Sequence, residues 1–430
     1  MSKPQGLAKG QAIGVDESNV GDEVRQWLAD TWDPNRPLRE WRDLLADSGW
    51  GCPTWPTGCF GRGLTPAAAA AVADEFRRVG AVGPATGSGM SLAAPTILTH
   101  GSPELQQRLL RPILTGEHSW CQLFSEPGNG SDLAGLTTRA VRDGDEWVVN
   151  GQKVWTTNAH RAAFGMLLAR TDWDQPKHRG ITWFAFPMDQ PGVEVRPLRQ
   201  MNGHTSFNEV FLTDARVGHD LVVGDVNDGW AAALTTLAHE RGLSPARWAS
   251  PAPPGAGRTA TEAAAEAHEY AKTYVWYPQR AGRADLVPTL ATAVGAADDP
   301  LIRQRVAALK AIESASRWMT DRHRAARAAG RPPGAEGSLA KVAASAIARA
   351  AAGAHTRITG ANGMLAAASS TTAEAAIVAE VLISTPGASI AGGTDEIQRN
   401  IIGERILDLP REPSVDAGIP FRQVRTNRRD

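Results

Sequence analysis

The 430-residue chain has little cysteine, only three tyrosines and no long apolar run. Its three cysteines, Cys52, Cys59 and Cys121, are an odd number in a chain that shows no secretory leader. This composition argues against a disulfide framework and favours a reducing, cytoplasmic compartment. Cys52 and Cys59 lack the second Cys or His pair that a zinc site needs, so no metal site is expected.

The chain also has almost no net charge, formally −1. A balanced charge gives no general attraction for nucleic acid. The alanine-rich stretches 67–73 and 343–352 fall short of the roughly 20 apolar residues that a membrane span needs. We therefore expect a soluble enzyme that acts on a small molecule. Residues 413–430 form a tail, and its last residues, 421–430, carry Arg422, Arg425, Arg428 and Arg429, a composition that predicts a solvated, frayed terminus.

Local signals divide the rest of the chain into three parts, with boundaries at 1–120, 121–228 and 229–412. The first part has helical periodicity, and Ser102-Pro103-Glu104 marks one helix start by an N-cap, a first-turn proline and an acid. The predicted helices are 22–32, 38–48, 65–79 and 103–114.

The second part changes to alternation with period two, without helix-length patterns between its short apolar runs, which predicts an antiparallel sheet or barrel. Its predicted strands are 147–149, 153–157, 165–169, 181–187, 193–198 and 209–212. The third part returns to long helices joined by short links, which predicts a bundle. Its predicted helices are 230–241, 300–329, 338–358, 372–383 and 397–406. A Pro-rich insert at 250–257 interrupts this part.

The stretch 120–158 is the most informative in the chain. It contains FSEPGNGSDLAG, whose Gly128 and Gly130 let backbone amides approach a ligand closely. Its second half reads NGQKVWTTN, in which Asn150-Gly151 predicts a hairpin turn. Trp155 and Thr157 are two residues apart on the following strand and should share a face. An indole plane beside a hydroxyl suits a flat heteroaromatic cofactor.

These two motifs, followed by GGTDEIQRNIIGER near the C-terminus, resemble the acyl-CoA dehydrogenases, and the resemblance extends over about residues 25–412. It implies an α+β fold with an N-terminal helical domain, a middle antiparallel β-barrel domain and a C-terminal helical bundle. It also implies FAD as cofactor, an acyl-CoA substrate, a role in lipid metabolism and an acceptor such as electron-transferring flavoprotein. The family assembles as homodimers or homotetramers, and a heteromeric assembly is an open alternative.

The resemblance also implies roles for individual residues. Trp155 would lie against the flavin ring, and Thr157 would bond near N5. The other implied cofactor-binding residues are Phe124 and Ser125 on the pyrimidine side, Gly130 and Ser131 at the pyrophosphate or thioester arm, and Thr394 and Glu396. Ser131 and Arg241 are the implied substrate-binding residues.

The catalytic base departs from a common pattern of the family. Many members carry a glutamate where this chain has Gly392, whereas other members carry it on the first helix after the β domain. That helix here includes His239-Glu240-Arg241, so the resemblance implies Glu240 as the base. Gly392 retains its backbone N–H, which can still polarise the thioester carbonyl.

Two further departures concern FAD. The Arg-x-x-Phe-Gly segment of the family is not recognisable in 298–305, and Arg357 replaces a usual glutamine, so Arg357 or an arginine of 303–305 would neutralise the pyrophosphate. The leading interpretation is α,β-dehydrogenation to a trans-2-enoyl-CoA, with Glu240 as base and flavin N5 as hydride acceptor. Two alternatives stay open: a non-catalytic or partner-dependent subunit of a heteromeric dehydrogenase, and a flavin oxidase or monooxygenase on the same scaffold.

Overall fold

The computed structural model describes residues 17–242, 256–329, 331, 334–365 and 377–425, without the side chains of 241, 242, 327 and 328. Most of the predicted insert 250–257 and the first part of the predicted helix 372–383 lie outside the described residues. The described chain has a helical N-terminal part, a β domain and a helical C-terminal part, as the sequence predicted.

From residue 17 onward, where the description of the chain begins, five α-helices form the N-terminal part: α1 (Val20–Thr31), α2 (Leu38–Ser48), α3 (Pro66–Val79), α4 (Ala94–His100) and α5 (Pro103–Thr115). The Ser102 hydroxyl caps α5 by accepting a hydrogen bond from Leu105 N at 3.3 Å. Trp41 and Leu45 of α2 are fully buried in the core that these helices share. Helix α4, which was not predicted, continues a π-helical turn over Gly89–Ala93.

Eight strands form one sheet in the order β6-β7-β3-β2-β4-β5-β8, with β1 beside β4. Most pairs are antiparallel, but β1 and β2 both run parallel to β4. The strands are β1 (Trp120–Leu123), β2 (Arg139–Asp143), β3 (Glu146–Thr157), β4 (Phe164–Arg170), β5 (Ile181–Pro187), β6 (Val193–Leu198), β7 (Phe207–Gly218) and β8 (Val222–Val223).

The hairpin turn predicted at Asn150-Gly151 is wrong, because β3 runs through this dipeptide without a break. The turn lies instead at Gly144, which has φ 62° and joins β2 to β3. Asn150-Gly151 forms an irregularity in the pairing with β7. The Asn150 side chain bonds Asp214 there, both by donating to its carboxylate and by accepting from its backbone N–H, each at 2.9 Å. Long-strand pairing thus overrides the local turn preference.

The C-terminal part begins with α6 (Gly229–Gly242), which packs on α4 and β5 rather than within the bundle. Thr96 and Thr236 share a buried hydrogen bond of 2.8 Å across the α4–α6 contact. In the described residues, no helix is both long and apolar enough to cross a membrane. The other helices are α7 (Arg258–Ala271), α8 (Tyr277–Arg280), α9 (Val287–Ala293), α10 (Pro300–Ala328), α11 (Glu336–Thr359), α12 (Val378–Ser384), α13 (Pro386–Ile390) and α14 (Asp395–Arg405).

The prediction of a frayed terminus over 421–430 is wrong for its described portion, because residues 414–424 dock on the β domain. Phe421 is only 2% exposed, and its backbone N–H donates to Gln175 O at 2.9 Å. Its ring lies 3.4 Å from the guanidinium carbon of the buried Arg170. One aromatic residue therefore anchors a segment whose charge alone predicted fraying. Residues 426–430 lie outside the described residues.

Candidate functional site

The glycine-containing loop after β1 is attached to β3 by backbone and side-chain contacts. Val154 N donates to Ser125 O at 2.9 Å. The Lys153 ammonium donates to Phe124 O at 3.1 Å and to the Glu126 carboxylate at 3.0 Å. Phe124 and Ser125 are thus held directly against the strand that carries Trp155.

Glu126 and Lys153 form an ion pair with side-chain exposures of 4% and 0%. The Glu126 carboxylate also accepts hydrogen bonds from Thr137 N at 2.8 Å and Thr138 N at 2.7 Å. Burial alone would raise the pKa of Glu126, but the Lys153 charge and these hydrogen bonds prevail and lower it to about 2. Burial lowers the pKa of Lys153, and the Glu126 carboxylate opposes that change.

This ion pair was missed in the sequence, although a signal was present. Glu126 lies within the FSEPG motif. Lys153 lies within NGQKVW, where it places a charge in a strand whose alternate residues face the core. A lysine facing a protein interior requires a charged or hydrogen-bonding partner. The acid of the preceding motif was the available one.

Trp155 has an unusual backbone for a large residue. Its φ is 62°, in the left-handed region, at an irregularity of the β3–β7 pairing between Lys153 and Thr156. The indole is 55% exposed and touches Phe207 edge-on, with ring centroids 5.6 Å apart. Val154 and Thr156 are buried, whereas Trp155 and Thr157 are not. One face of β3 therefore presents an indole and a hydroxyl to solvent.

The loop itself offers open backbone beside this face. Gly128, Gly130 and Ser131 are exposed. A Cβ added at Gly128 or Gly130 would meet no protein atom within 4 Å. Packing of the protein therefore does not require these glycines, and their backbone is open to close approach by a ligand.

Glu240 lies near the end of α6, is half-buried, and reaches the strand that leads into this loop. The Gln122 amide of β1 donates to its carboxylate over a long 3.4 Å. Gln122 precedes Phe124 by two residues, so β1 connects the acid with the loop. The Arg241 side chain lies outside the described residues.

The C-terminal motif forms a sharp turn before α14. Gly392 and Gly393 have φ of 70° and 83°. The Gly392 carbonyl accepts from the Gln398 amide at 2.9 Å, and the Thr394 hydroxyl caps α14 by accepting from Ile397 N at 3.2 Å. Glu396 is exposed, 3.6 Å from Arg399. No described hydrogen bond or ion pair joins this turn to Glu240 or to Trp155.

Asp395 fixes this turn to α11. Its carboxylate is 4% exposed and pairs with Lys341 at 2.7 Å and Arg349 at 2.5 Å. Arg357 lies eight residues beyond Arg349 on the same helix, roughly 12 Å along its axis, and is exposed. Arg303 pairs at 4.0 Å with Asp298. No described polar contact brings Arg357 or Arg303 to the loop after β1.

Family models of known proteins match most of the chain. The family models for the acyl-CoA dehydrogenase N-terminal, middle and C-terminal domains match residues 17–117, 121–215 and 291–407. Acyl-CoA dehydrogenase IpdE1 of Mycobacterium tuberculosis is 36% identical over 411 residues, which cover 91% of this chain and 97% of that protein. The chain belongs to the acyl-CoA dehydrogenase family.

Other relatives match in part or in structure. Acyl-CoA dehydrogenase FadE34 of M. tuberculosis is 52% identical over 197 residues, 46% of this chain but only 27% of that protein. The solved Tcur3481-Tcur3483 steroid ACAD is similar with a TM-score of 0.63 and 26% identity, covering 92% of this chain and 98% of that one. The solved ChsE4-ChsE5 complex from M. tuberculosis is similar with a TM-score of 0.61 and 26% identity. The match covers 94% of this chain and 100% of that one.

Membership of the acyl-CoA dehydrogenase family makes this protein an oxidoreductase that acts on CH–CH bonds, and the residues present fit the FAD on which the family depends. The exposed Trp155 offers a flat surface, and the open glycine loop lies beside it. The Thr156 hydroxyl next to Trp155 is buried without a hydrogen-bond partner among the described residues. Trp50 Nε1 and Ser338 Oγ are in the same state, so the fit rests on Trp155 and the glycine loop.

Proposed function

We propose that this protein catalyses the FAD-dependent α,β-dehydrogenation of an acyl-CoA thioester to a trans-2-enoyl-CoA, with Glu240 as the base. The observation that carries the proposal is the link from Glu240 through Gln122 to the loop and strand that present Trp155. FAD, when bound, supplies the acceptor for the β-hydride at its N5 atom. Electrons would then pass to an acceptor such as electron-transferring flavoprotein.

The proposed FAD site is built on β3 and the loop after β1. Trp155 would lie against the flavin ring, and the Thr157 hydroxyl would bond near its reactive edge. The backbone of Phe124 and Ser125 is held close to both by Lys153. Further cofactor contacts are proposed for Gly130, Ser131, Arg357, Thr394 and Glu396, with Ser131 and Arg241 also toward the substrate. The proposed domain boundaries are 1–120, 121–228 and 229–412.

Glu240 would remove the α-proton of the substrate. Its helix is fixed against β5 and α4, and the Gln122 amide gives the carboxylate a defined direction. A bound acyl chain would exclude water from the half-buried carboxylate, so that the α-proton and not a solvent molecule lies next to it. The Gly392 N–H would donate to the thioester carbonyl, which stabilises the charge that develops there as the proton leaves.

The replacement of Glu240 by glutamine tests this assignment. Glu240→Gln should retain flavin. The rate at which an acyl-CoA bleaches that flavin should fall by about a hundredfold or more relative to the wild type, because a general base contributes a factor of this size. The neighbouring His239→Gln is a matched control on the same helix and should bleach normally. Normal reduction of Glu240→Gln would exclude Glu240 as the base. A flavin-loaded wild type that no acyl-CoA reduces would exclude the dehydrogenase function.

A second candidate, a subunit active only with a partner chain, is supported by two observations. Position 392 has no side chain to act as base, and α10 leaves the large apolar side chains of Leu301 and Trp318 65% and 67% exposed, where a partner chain could cover them. The ChsE4-ChsE5 relative is itself a complex.

Flavin content separates the two candidates. A chain that is colourless when purified alone, and gains flavin only with a partner, favours the second candidate. Otherwise we expect a homodimer or homotetramer.

The state of the three cysteines supports a proposal for the cellular compartment of the protein. Cys52, Cys59 and Cys121 are all free and buried, and burial raises the pKa of the Cys52 thiol to about 12. Reduced thiols of this kind are typical of a reducing compartment, so we propose a cytoplasmic location.

A further inference from the structure

Residues 414–424 cross the surface of the β domain, and we call them the C-terminal strap. The strap is attached at its far end by Phe421 and Arg422. Their backbone N–H groups donate to Gln175 O at 2.9 Å and Trp173 O at 3.1 Å. The Phe421 ring also lies 5.3 Å from the Trp173 ring, between centroids. The strap therefore binds the β4–β5 connection, residues 171–180, over several residues.

Phe421 covers a buried arginine that supports the loop after β1. Arg170 is fully buried, and its guanidinium donates to Ala134 O at 2.7 Å and Leu136 O at 3.2 Å, where the loop after β1 ends. It also donates to Lys177 O and Arg179 O in the β4–β5 connection, at 3.3 and 3.2 Å. Arg170 thus joins the loop to the surface on which the strap lies.

Lys177 makes a second connection, between charges. Its ammonium, on a side chain only 14% exposed, lies 2.8 Å from the Asp132 carboxylate of the loop and 2.8 Å from the Asp416 carboxylate of the strap. The Ser414 hydroxyl donates to the other Asp416 oxygen. Asp132 itself is folded over Gly135, where an added Cβ would come within 2.6 Å of its carboxylate. Lys177 therefore links the Asp132 carboxylate of the loop to the Asp416 carboxylate of the strap.

The loop after β1 consequently has two anchors with an exposed segment between them. The Glu126–Lys153 pair holds its start, and Arg170 with Lys177 holds its end from Asp132 to Leu136. Pro127, Gly128, Gly130 and Ser131 lie between the anchors and are exposed. The strap is the outer layer of the second anchor only.

We propose that the C-terminal strap positions this loop for acyl-CoA, with Lys177 and Asp416 as positioning residues that set the place of Asp132 and Ser131. The inference rests on the proposed function, in which Ser131 contacts the substrate. Because neither Lys177 nor Asp416 reaches the candidate base, a loosened strap should weaken substrate binding and leave the limiting rate of flavin reduction unchanged.

The test compares three full-length variants with the wild type. Asp416→Asn removes the charge that faces Lys177, and Asp416→Glu restores it. Glu412→Gln removes a charge from an exposed residue four positions earlier that makes no ion pair among the described residues. For each protein we would measure the half-saturating acyl-CoA concentration and limiting rate of flavin bleaching, and the hydrogen exchange of amides 127–136.

For Asp416→Asn we expect a half-saturating concentration about threefold higher, as befits one partly exposed ion pair, an unchanged limiting rate and faster exchange in 127–136. Asp416→Glu should recover most of both effects, and Glu412→Gln should show neither. Unchanged exchange and unchanged half-saturation in Asp416→Asn would overturn the proposal, as would a fall in limiting rate alone. If no acyl-CoA reduces the wild type, the proposed function fails, whereas the exchange comparison still decides whether the strap orders the loop.

Discussion

Lys153 holds the start of the loop after β1 against β3 from within the protein. Its fully buried ammonium joins Phe124, Glu126 and, through the chain, Trp155 two residues later. Removing one partner of a buried ion pair leaves the other charge uncompensated. Flavin retention and stability should therefore depend together on this lysine.

We expect Lys153→Met to lower the free energy of unfolding by about 3 to 5 kcal/mol and to release flavin, because Glu126 would be buried without its counter-charge. Chemical denaturation and the absorbance of the purified protein measure the two effects. Lys310→Met is the matched control, since Lys310 pairs at 2.7 Å with Glu313 but is 51% exposed. It should cost less than about 1 kcal/mol. Equal effects of the two changes would contradict the role of Lys153.

Trp155 allows a separation of stability from ligand binding. In Trp155→Gly the left-handed φ of 62° becomes unstrained, a gain of about 1 kcal/mol that offsets the lost contact with Phe207. The flavin-free protein should therefore unfold at a similar denaturant concentration. Flavin affinity should fall about tenfold, because an aromatic stack on the ring is lost. Flavin titration by fluorescence measures that loss. An unchanged affinity would show that the ring does not lie against Trp155.

At the scale of elements, helix α6 carries Glu240 to the site because it begins in contact with the sheet. A Cβ on Gly229 would lie 2.4 Å from Trp183 N and 2.6 Å from Thr182 C, both backbone atoms of β5. Neither atom can move without distorting the strand. Glycine is thus required where α6 meets β5, some three helical turns before Glu240.

Gly229→Ala should therefore displace α6, lower stability by about 1 to 3 kcal/mol as overpacking does, and slow flavin reduction by acyl-CoA. Gly353→Ala is the control within another helix, since a Cβ there meets no atom within 4 Å. It should be neutral or stabilise by about 0.5 to 1 kcal/mol. Thermal unfolding and rapid-reaction bleaching would check both. A Gly229→Ala protein with wild-type stability and rate would refute the packing requirement.

Elements were predicted well where a signal was local. Helix α2 has the predicted bounds, and α5 begins at the predicted Pro103 with the Ser102 cap in place. The Asn150-Gly151 turn failed because the preference of a dipeptide competes with the pairing of β3 and β7, two strands of 12 residues each. The helix α4 was not foreseen, because seven residues are too few to show a clear period.

At the scale of the whole molecule, the carboxylates that are paired with basic side chains determine how the stability of the fold responds to acid. The pKa of Glu126 falls to about 2 from an ordinary 4.5, and that of Asp416 to about 2 from 3.8, each held low by a lysine. The Lys341 and Arg349 side chains likewise hold the pKa of Asp395 below its usual range, against the effect of burial. The unfolded chain thus binds more protons than the folded one in acid.

Stability should accordingly be complete above about pH 4.5 and decline as the pH falls toward 2, where these folded carboxylates take up protons. The free energy of unfolding, measured by denaturant at several pH values, checks this expectation. Asp395→Asn should make the decline shallower, because one of the carboxylates with a lowered pKa is gone. A stability independent of pH from about 6 to about 3 would contradict the assignment of these pairs.

The sequence by itself determined the order of the three parts, the family, and the loop and strand of the candidate site, because periodicity, caps and motifs are properties of neighbouring residues. Only the tertiary structure decided which distant residues meet. It joined Glu240 to Gln122 and Glu126 to Lys153, and it folded residues 414–424 onto the β domain. Such contacts depend on packing and on the burial of charge across long sequence separations, which no local pattern encodes.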